Sequence, residues 1–382
     1  MKIVVAMDSL KGSLTSIEAG EAIREGILEV DESVEVVVKP LADGGEGTTE
    51  ALVSGMGGIL CQQMVTGPLG LSVEATYGII PDQKKAIIEV SQAAGLPSVP
   101  KEKRNPLYTT TYGVGEMIKA GIEKGCRVFI VGIGGSATND AGMGMLKALG
   151  YRFLDSKGED VGEGGQALRK VQSIDQTHAL AELEACEFHI ACDVNNPLYG
   201  PNGAACIYAP QKGATPEMVA YLDEGLEHFA QVVCDFLGKD FSQEAGVGAA
   251  GGLGFAFKAF LGGKLESGIQ MVLKETQMEE AIKQADLVIT GEGRLDEQTA
   301  MGKAPIGVAK LAKKYHLPVI GLAGSLAQEA KKCNEEGIDA YFSIVNGAMS
   351  LEQAMNKENA RNNMKQTVEQ IFRLIRLYSS NQ

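Results

Sequence analysis

Residues Arg127–Gly150 read RVFIVGIGGSATNDAGMGMLKALG, and this stretch carries the pattern from which the fold is predicted. It opens with the apolar run Val128–Val131, whose β-branched residues are typical of a strand buried on both faces. A glycine loop follows the run. The segment Ala141–Leu149, rich in Ala, Met and Leu, then predicts a helix that ends at Gly150.

A glycine loop between a strand and a helix indicates an anion site, because free N–H groups at a helix start attract negative charge. The letters GIGGSA also fit the dinucleotide pattern G-x-G-x-x-G/A, with Asp155 where the ribose-binding acid is expected. Asp140, predicted in the first helical turn, would repel a pyrophosphate but suits a site with Mg²⁺ beside phosphates. A helix cap with tight packing is the alternative for this motif.

The length and the charge of the chain exclude several classes of protein. A chain of 382 residues exceeds the usual size of one core, which predicts two domains. The formal net charge of −14 makes nucleic acid and anionic membrane poor partners, so the expected partners are small molecules. None of the four histidines lies in a glycine motif, which favours a carboxylate as general base.

The seven cysteines form no C-x-x-C pair, which indicates reduced thiols and no zinc site. The N-terminal run MKIVVAMDSL is too short for a signal peptide, and no apolar run is long enough to cross a membrane. These features predict a cytoplasmic protein. The sequence does not indicate an oligomeric state.

The order of predicted elements divides the chain into two regions. Strands alternate with helices from residue 2 to residue 53 and again after residue 264, which predicts a parallel sheet. Between them, three strand-like runs over 59–90 are joined by short turns and predict an antiparallel meander. The expected fold is therefore α/β with two domains: a discontinuous Rossmann-like or flavodoxin-like parallel-sheet domain (1–61 and 264–382) and an inserted mixed α/β domain (62–263). The active-site cleft is expected between them.

Individual elements are also predicted from periodicity and capping residues. The helices that matter below are expected at 16–29, 110–124, 141–149, 215–237, 269–284, 326–336 and 351–377, and the corresponding strands at 2–7, 128–131, 188–192, 287–290 and 318–323.

Five motifs rich in glycine and acidic residues follow predicted strands, where ligands bind in open α/β sheets. They are DSLKGS (8–13), LADGGEGT (41–48), GIGGSATND (132–140), CDVNNPL (192–198) and GEGRLDEQ (291–298). Their acids are hard oxygen ligands suited to Mg²⁺, and Lys11 and Arg294 suit phosphate or carboxylate. This chemistry indicates phosphoryl transfer without a P-loop sequence. For single residues, helix caps and solvated charges are the alternatives.

At these motifs the chain resembles the type-1 family of bacterial glycerate kinases, over nearly its whole length and in order. The resemblance implies ATP-dependent phosphorylation of D-glycerate with Mg²⁺, and two α/β domains with the site between them. It rests on the five motifs and on Gly251–Gly254 and Gly302–Pro305, with Leu10 where Phe is expected.

Roles for single residues follow from position and chemistry. Asp193 ends a predicted strand beside an Asn-Asn-Pro turn and is expected to accept the proton of the glycerate hydroxyl. Lys11 and Arg294 are expected to hold the glycerate carboxylate or the transferred phosphoryl group. Ser9 and Asn195 complete the predicted substrate contacts.

The remaining predicted site residues concern the nucleotide and the metal. Gly134, Gly135 and Ser136 are expected to bind nucleotide phosphates, with Asp140 close to the metal. Asp43 and Asp296 are the predicted metal ligands, directly or through water.

Two other functions remain open from the sequence. The first is a dinucleotide-dependent oxidoreductase of a small hydroxy acid, which would use GIGGSA and Asp155. The acids in the other loops, and the lack of a histidine in a motif, disfavour it. The second is a non-catalytic protein that binds sugar acids, which would need no metal site.

Overall fold

The computed structural model describes residues 1–379, which form two compact units. The terminal unit comprises Met1–Asp43, Ser54–Met56 and the described residues from Ile269 onward. The central unit comprises Gly44–Val53 and Gly57–Gly268. The domain limits at residues 62 and 263 stay a prediction.

The strands are, in chain order, β1 Lys2–Met7, β2 Glu35–Val38, β3 Ile59–Thr66, β4 Ser72–Ile80, β5 Lys85–Glu89, β6 Val128–Gly132, β7 Arg152–Leu154, β8 Ser173–Asp175, β9 Glu187–Ala191, β10 Lys264–Glu266, β11 Leu287–Leu295, β12 Val319–Leu326 and β13 Ala340–Ser343. The α-helices are α1 Ser16–Leu28, α2 Thr48–Met56, α3 Val90–Ala94, α4 Tyr112–Glu123, α5 Met143–Ala148, α6 Ala204–Tyr208, α7 Pro216–Leu237, α8 Ala249–Leu261, α9 Gly268–Glu275, α10 Met278–Ile282, α11 Glu297–Ala300, α12 Ala304–Lys313, α13 Lys332–Glu335, α14 Leu351–Met355 and α15 Lys357–Ser379.

The terminal unit is built on one parallel sheet of five strands in the order β13-β12-β11-β1-β2. Strands from both ends of the chain pair directly, since Ile3 lies opposite Leu287 and Met7 opposite Gly291. Counted within this sheet, the order is that of flavodoxin-like folds, with a switch point between β1 and β11. Ligands of such sheets bind outside the carboxyl ends of the strands at that point.

The central unit contains a six-stranded sheet in the order β10-β9-β6-β5-β4-β3. The strands β3, β4 and β5 pair antiparallel, which confirms the predicted meander. The strands β5, β6, β9 and β10 are parallel. Below the sheet, the rings of Phe129 and Phe188 stack at 5.0 Å, and Phe257 lies 5.8 Å from Phe188. The α/β class with parallel sheets is therefore confirmed.

The strand β11 is longer than predicted, because it continues to Leu295 through the motif that was expected to be a loop. Arg294 lies opposite Ser325, and Leu295 opposite Leu326, in the ladder with β12. Gly291 makes this continuation possible: its φ is +154°, and a Cβ there would lie 1.8 Å from the carbonyl oxygen of Leu322. Pairing with β12, a long-range interaction, therefore extends the strand through residues whose glycines locally favour a loop.

Other predicted helices are interrupted. The helix expected at 269–284 breaks at Gln277, whose φ of +51° separates α9 from α10. The terminal helix breaks at Asn356, between α14 and α15. The region 326–336 holds only a 3₁₀ turn and the short α13. Among residues 1–379, no helix is long and apolar enough to span a bilayer.

Candidate active site

The switch point of the terminal sheet holds a buried carboxylate, Asp8. It follows β1 directly, and its backbone N–H donates to the carbonyl oxygen of Gly291 at 2.8 Å. Its side chain accepts a hydrogen bond from the N–H of Ser9 at 2.7 Å and is almost fully buried. Burial, together with the negative charges of Asp43 and Glu292, raises the pKa of Asp8 to about 7.

Glu292 and Arg294 extend from the end of β11. Because side chains alternate along a strand, these two residues share one face of it. Glu292 is buried, and its Oε1 accepts a hydrogen bond from the hydroxyl of Thr299 at 2.7 Å. Burial raises the pKa of Glu292, and the bond from Thr299 opposes that shift. Arg294 is exposed and lies 4.0 Å from Asp296, measured between Nε and Oδ2.

Asp296 caps the short helix α11. Its Oδ1 accepts a hydrogen bond from the N–H of Thr299 at 3.1 Å, and the N–H of Asp296 donates to the Thr299 hydroxyl oxygen at 3.1 Å. This reciprocal arrangement is a capping box. Asp296 therefore acts as a helix cap, which was the alternative considered for single acids. Its second carboxylate oxygen can still take a ligand.

Lys11 lies in a tight loop after β1, closed by two backbone hydrogen bonds between Leu10 and Leu14. Its side chain is exposed. Gly293 is close to this loop, since a Cβ there would lie 3.6 Å from the Cα of Leu10. The first motif and the GEGRLDEQ motif thus meet at the carboxyl edge of the terminal sheet.

A cavity of about 330 Å³ opens at this edge. Ser9, Lys11, Arg294 and Asp296 line it, so the fold brings four of the predicted site residues together. Lys303, which precedes α12, lines it as well. Lys303 belongs to the Gly302–Pro305 motif that supports the resemblance, but no site role was predicted for it.

The predicted metal ligands are Asp43 and Asp296. Within the described part of the chain, no three side chains of His, Cys, Asp or Glu form a group that could hold a metal ion. Mg²⁺ is usually held by one or two carboxylates together with substrate phosphates, so a dedicated protein cage is not required. The charges at this edge fit such an ion, because a cation held by Asp43 would offset the repulsion from Asp43 and Glu292 that adds to the effect of burial on the pKa of Asp8.

In the central unit, the glycine loop follows β6 as predicted. Gly134 and Gly135 are exposed, whereas Ser136 is buried. The loop packs closely on Gly44 and Gly45: a Cβ at Gly132 would lie 2.5 Å from the carbonyl oxygen of Gly44, and one at Gly134 would lie 3.3 Å from the Cα of Gly45. The fold therefore joins the glycine half of LADGGEGT to the GIGGS loop, because only residues without side chains allow this approach.

Asp140 has a different environment from the one expected. The helix α5 begins at Met143, two residues later than predicted, and Asp140 is fully buried. Its carboxylate accepts hydrogen bonds from the N–H and hydroxyl of Thr111, both at 2.9 Å, and from the N–H groups of Gly142 and Gly144. Burial raises the pKa of Asp140. This carboxylate thus occupies the amide groups at the helix start that an anion would need.

Lys212 lies beneath the same loop and was also missed. Its ammonium group donates to the Ser136 hydroxyl at 2.9 Å and to the Thr138 carbonyl oxygen at 2.7 Å. Burial lowers the pKa of Lys212 to about 7, and the charge of Asp140 partly opposes this. The local sequence PQKG does not indicate that Lys212 is buried or bound to the loop, because its partners lie more than 70 residues away in the chain.

Asp193 follows β9, the neighbour of β6, so it emerges at the same edge of the central sheet as the glycine loop. Its Oδ1 accepts a hydrogen bond from the N–H of Gly268 at 3.0 Å, and the residue is exposed. The turn after it is held by Asn196, whose side chain donates to the carbonyl of Asn202 at 2.8 Å and accepts from the Tyr208 hydroxyl at 2.6 Å. Asn195 is exposed beside it.

Asp155 lies in the turn that follows β7. Its Oδ1 accepts hydrogen bonds from the N–H groups of Lys157 at 2.8 Å and Glu159 at 3.0 Å. These bonds hold the pKa of Asp155 below its usual range. Its side chain therefore stabilises an ordinary surface turn.

Comparisons with known proteins agree with the resemblance. The model of the glycerate kinase family matches residues 3–376. A glycerate kinase from Bacillus subtilis is 48% identical over 377 residues, 99% of this chain and 98% of the relative. A glycerate 2-kinase from Escherichia coli is 48% identical over 354 residues, 93% of each chain.

A solved structure supports the same conclusion. The crystal structure of a protein from Salmonella typhimurium LT2, described as a candidate glycerate kinase 2, superimposes with a TM-score of 0.91 at 45% identity, covering 100% of this chain and 99% of that one. These relatives give no support to the oxidoreductase alternative. The chain therefore belongs to the glycerate kinase family, whose members are phosphotransferases that act on an alcohol group.

Proposed function

We propose that this chain transfers the γ-phosphoryl group of ATP to a hydroxyl group of D-glycerate, with Mg²⁺ as the required cation. The observation that carries the proposal is a cavity at the switch point of the terminal sheet that the cations Lys11 and Arg294 line together with Glu292, beside the buried carboxylate of Asp8. The accepting group is the 2-hydroxyl, as the name of the Escherichia coli relative, glycerate 2-kinase, suggests.

The carboxylates Asp43 and Asp296 are proposed to hold the metal together with phosphate oxygens of the nucleotide. When bound, Mg²⁺ supplies neutralisation of phosphate charge during transfer. Asp8 and Glu292 contribute negative charge from buried positions, where a nearby cation is favoured strongly.

Lys11 and Arg294 are proposed to bind the transferred phosphoryl group or the glycerate carboxylate. A chain of net charge −14 repels anionic substrates at long range, so local cations must provide the attraction. The guanidinium of Arg294 offers paired N–H donors that match phosphate and carboxylate oxygens. Ser9 and Asn195 are proposed to add hydrogen bonds to the substrate.

Asp193 is proposed to accept the proton of the attacking hydroxyl group. The new O–P bond forms from that oxygen, the bond between the γ-phosphorus and its bridging oxygen breaks, and ADP leaves with the electron pair. Support comes from the exposed carboxylate beside the turn that Asn196 fixes, which is the arrangement a positioned acceptor needs.

Gly134, Gly135 and Ser136 are proposed to bind phosphate through the backbone of their loop. Because Asp140 already occupies the amide groups of Gly142 and Gly144, the helix start adds no free donors there. The proposed role of Asp140 is therefore to shape the loop through its bonds to Thr111, Gly142 and Gly144.

The direct test is a coupled assay with D-glycerate, ATP and Mg²⁺, followed by identification of the product. We expect ADP formation that depends on both D-glycerate and Mg²⁺, is lost on chelation with EDTA, and yields 2-phosphoglycerate. A product phosphorylated at the 3-position would correct the regiochemistry. No ADP above background with D-glycerate would contradict the proposed reaction.

A further inference from the structure

The lining of the cavity at the carboxyl edge of the terminal sheet contains two chemically different sets of side chains. The apolar set, called the apolar wall below, consists of Leu10, Ile344, Val345, Leu351, Ala354 and Met355. The charged set consists of the cations Lys11, Arg294 and Lys303 and the carboxylates Glu292 and Asp296. From this division we propose that the cavity binds the adenine base of ATP against the apolar wall, with the phosphates directed toward the three cations. The inference rests on the proposed use of ATP.

The apolar wall is formed where β13 ends and α14 begins. Leu351 is 76% exposed and Met355 is 38% exposed, although both line a cavity. Exposed apolar side chains around a concave site mark a surface that a ligand covers. A flat aromatic base suits this wall, because it is apolar on both faces and methionine sulfur contacts aromatic rings favourably.

The helix α14 is held in place by its own cap. The Ser350 hydroxyl accepts a hydrogen bond from the N–H of Gln353, and the Gln353 side chain accepts one from the N–H of Ser350. The end of the helix reaches the first motif, since a Cβ at Gly12 would lie 3.0 Å from Cε of Met355. The apolar wall therefore stands directly beside the Lys11 loop.

A polar group on the cavity lining also lacks a partner. The hydroxyl oxygen of Ser13 is buried and makes no hydrogen bond within the part of the chain that the structure describes. A buried hydroxyl without a partner is costly, and a ligand that offers a nitrogen or oxygen would satisfy it. The ring nitrogens of adenine and the ribose hydroxyls are groups of this kind.

D-glycerate, for which Ser9 and one of the two cations are proposed, does not account for the apolar part of this lining. It is a small acid with two hydroxyl groups, and it has little apolar surface to place against Leu351 and Met355. The loop of the central unit offers no comparable base site, because its two glycines present only backbone and Asp140 occupies the neighbouring amide groups.

The test truncates the apolar wall without changing its charge, in the double variant Leu351→Ala with Met355→Ala. Tripolyphosphate, which has the phosphates but no base, serves as a competitive inhibitor. It separates an effect on binding of the base from an effect on binding of the phosphates. We expect the Michaelis constant for ATP to rise about tenfold, while the inhibition constant of tripolyphosphate and the Michaelis constant for D-glycerate change less than about twofold. Ser13→Ala should also raise the Michaelis constant for ATP, without changing the inhibition constant of tripolyphosphate or the Michaelis constant for D-glycerate.

The control is Leu71→Ala, because Leu71 is 66% exposed in the turn between β3 and β4 and lies outside the cavity lining. Calorimetric binding of ATP without glycerate repeats the comparison independently of turnover, so a failure of the kinase reaction is distinguished from a failure of the base site. Unchanged ATP affinity in the double variant, or a selective loss of D-glycerate affinity, would overturn the proposal. An equal loss of ATP and tripolyphosphate affinity would overturn it as well, since the wall would then act on the phosphates.

Discussion

Lys212 donates a hydrogen bond to the hydroxyl of Ser136 at 2.9 Å from a position with almost no solvent exposure. Its second bond, to the carbonyl of Thr138, fixes the other side of the same loop. A buried amine that donates to two acceptors anchors the loop, and below about pH 7, where it is protonated, it also adds positive charge beneath the exposed glycines. This relationship makes Lys212 a positioning residue for an anion-binding loop.

We expect Lys212→Met to lower kcat/KM at least tenfold, because the loop loses the two hydrogen bonds that anchor it. Lys212→Arg keeps N–H donors but not the geometry, and it should recover only part of the activity. The control is Lys170→Met, since Lys170 is exposed. Steady-state kinetics at pH 7.5 measure the effect, and an unfolding curve for each variant checks that it is folded. Full activity in Lys212→Met would show that the loop needs no anchor.

Stability should also depend on pH through this lysine. Burial lowers the pKa of Lys212 to about 7, whereas an unfolded chain keeps the ordinary value of 10.5. Between these two values the unfolded state binds a proton that the folded state lacks, so the wild type gains stability as pH rises, by up to about 1.4 kcal/mol per pH unit. Below pH 7 both states are protonated and the cost of the buried charge is fully present.

The measurement is the difference in melting temperature between Lys212→Met and the wild type. We expect the difference, variant minus wild type, to be largest near pH 6 and to fall steadily toward pH 9. The same difference for Lys170→Met should stay constant over this range. A difference that does not vary with pH would mean that Lys212 keeps an ordinary pKa.

The sequence predicted much of the frame but not the contacts that link distant segments. Buried strands such as Val128–Gly132 were found because β-branched apolar runs are a local signal. The continuation of β11 through Gly291 was missed, since pairing with β12 is a long-range interaction. Lys212 was missed for the same reason, and Asp140 was expected near a metal because its partner Thr111 is distant in the chain.

The two cations that the sequence singled out lead to a prediction about substrate affinity. Lys11→Ala and Arg294→Ala should each raise a Michaelis constant or lower turnover by about tenfold or more, since charge-assisted bonds contribute about 1.5–3 kcal/mol. Lys274→Ala, which removes an exposed cation of α9, serves as the control. Kinetics with ATP and D-glycerate varied in turn show which substrate each cation binds. Normal kinetics in both variants would make Lys11 and Arg294 ordinary surface charges.

Asp296 allows a separation of capping from metal binding. Asparagine caps helices about as well as aspartate, so Asp296→Asn keeps the bond from the N–H of Thr299 and removes only the charge. We expect this variant to melt like the wild type but to need about ten times more Mg²⁺ for half-maximal activity. Asp296→Ala should in addition lose about 1 kcal/mol of stability. An unchanged Mg²⁺ requirement in Asp296→Asn would leave Asp296 with the cap alone.

Asp193 and Asp155 form a matched pair for the last prediction. Asp193 is exposed and Asp155 is half-buried, and in both the Oδ1 atom accepts backbone N–H bonds, from Gly268 in one case and from Lys157 and Glu159 in the other. Replacement by asparagine preserves an oxygen acceptor at each position, so local structure should survive in both variants. Only Asp193 emerges beside the glycine loop of the central sheet, where a hydroxyl nucleophile would need a proton acceptor.

We therefore expect Asp193→Asn to lower kcat about a hundredfold or more, in line with general-base contributions of roughly 10²–10⁴, while the Michaelis constant for ATP changes little. Asp155→Asn should retain nearly full activity. The melting temperatures of both variants should lie close to that of the wild type, which separates loss of catalysis from loss of folding. If Asp193→Asn kept its turnover and merely melted earlier, the carboxylate would act only by holding the start of α9 at Gly268, and the proton acceptor would have to be another residue.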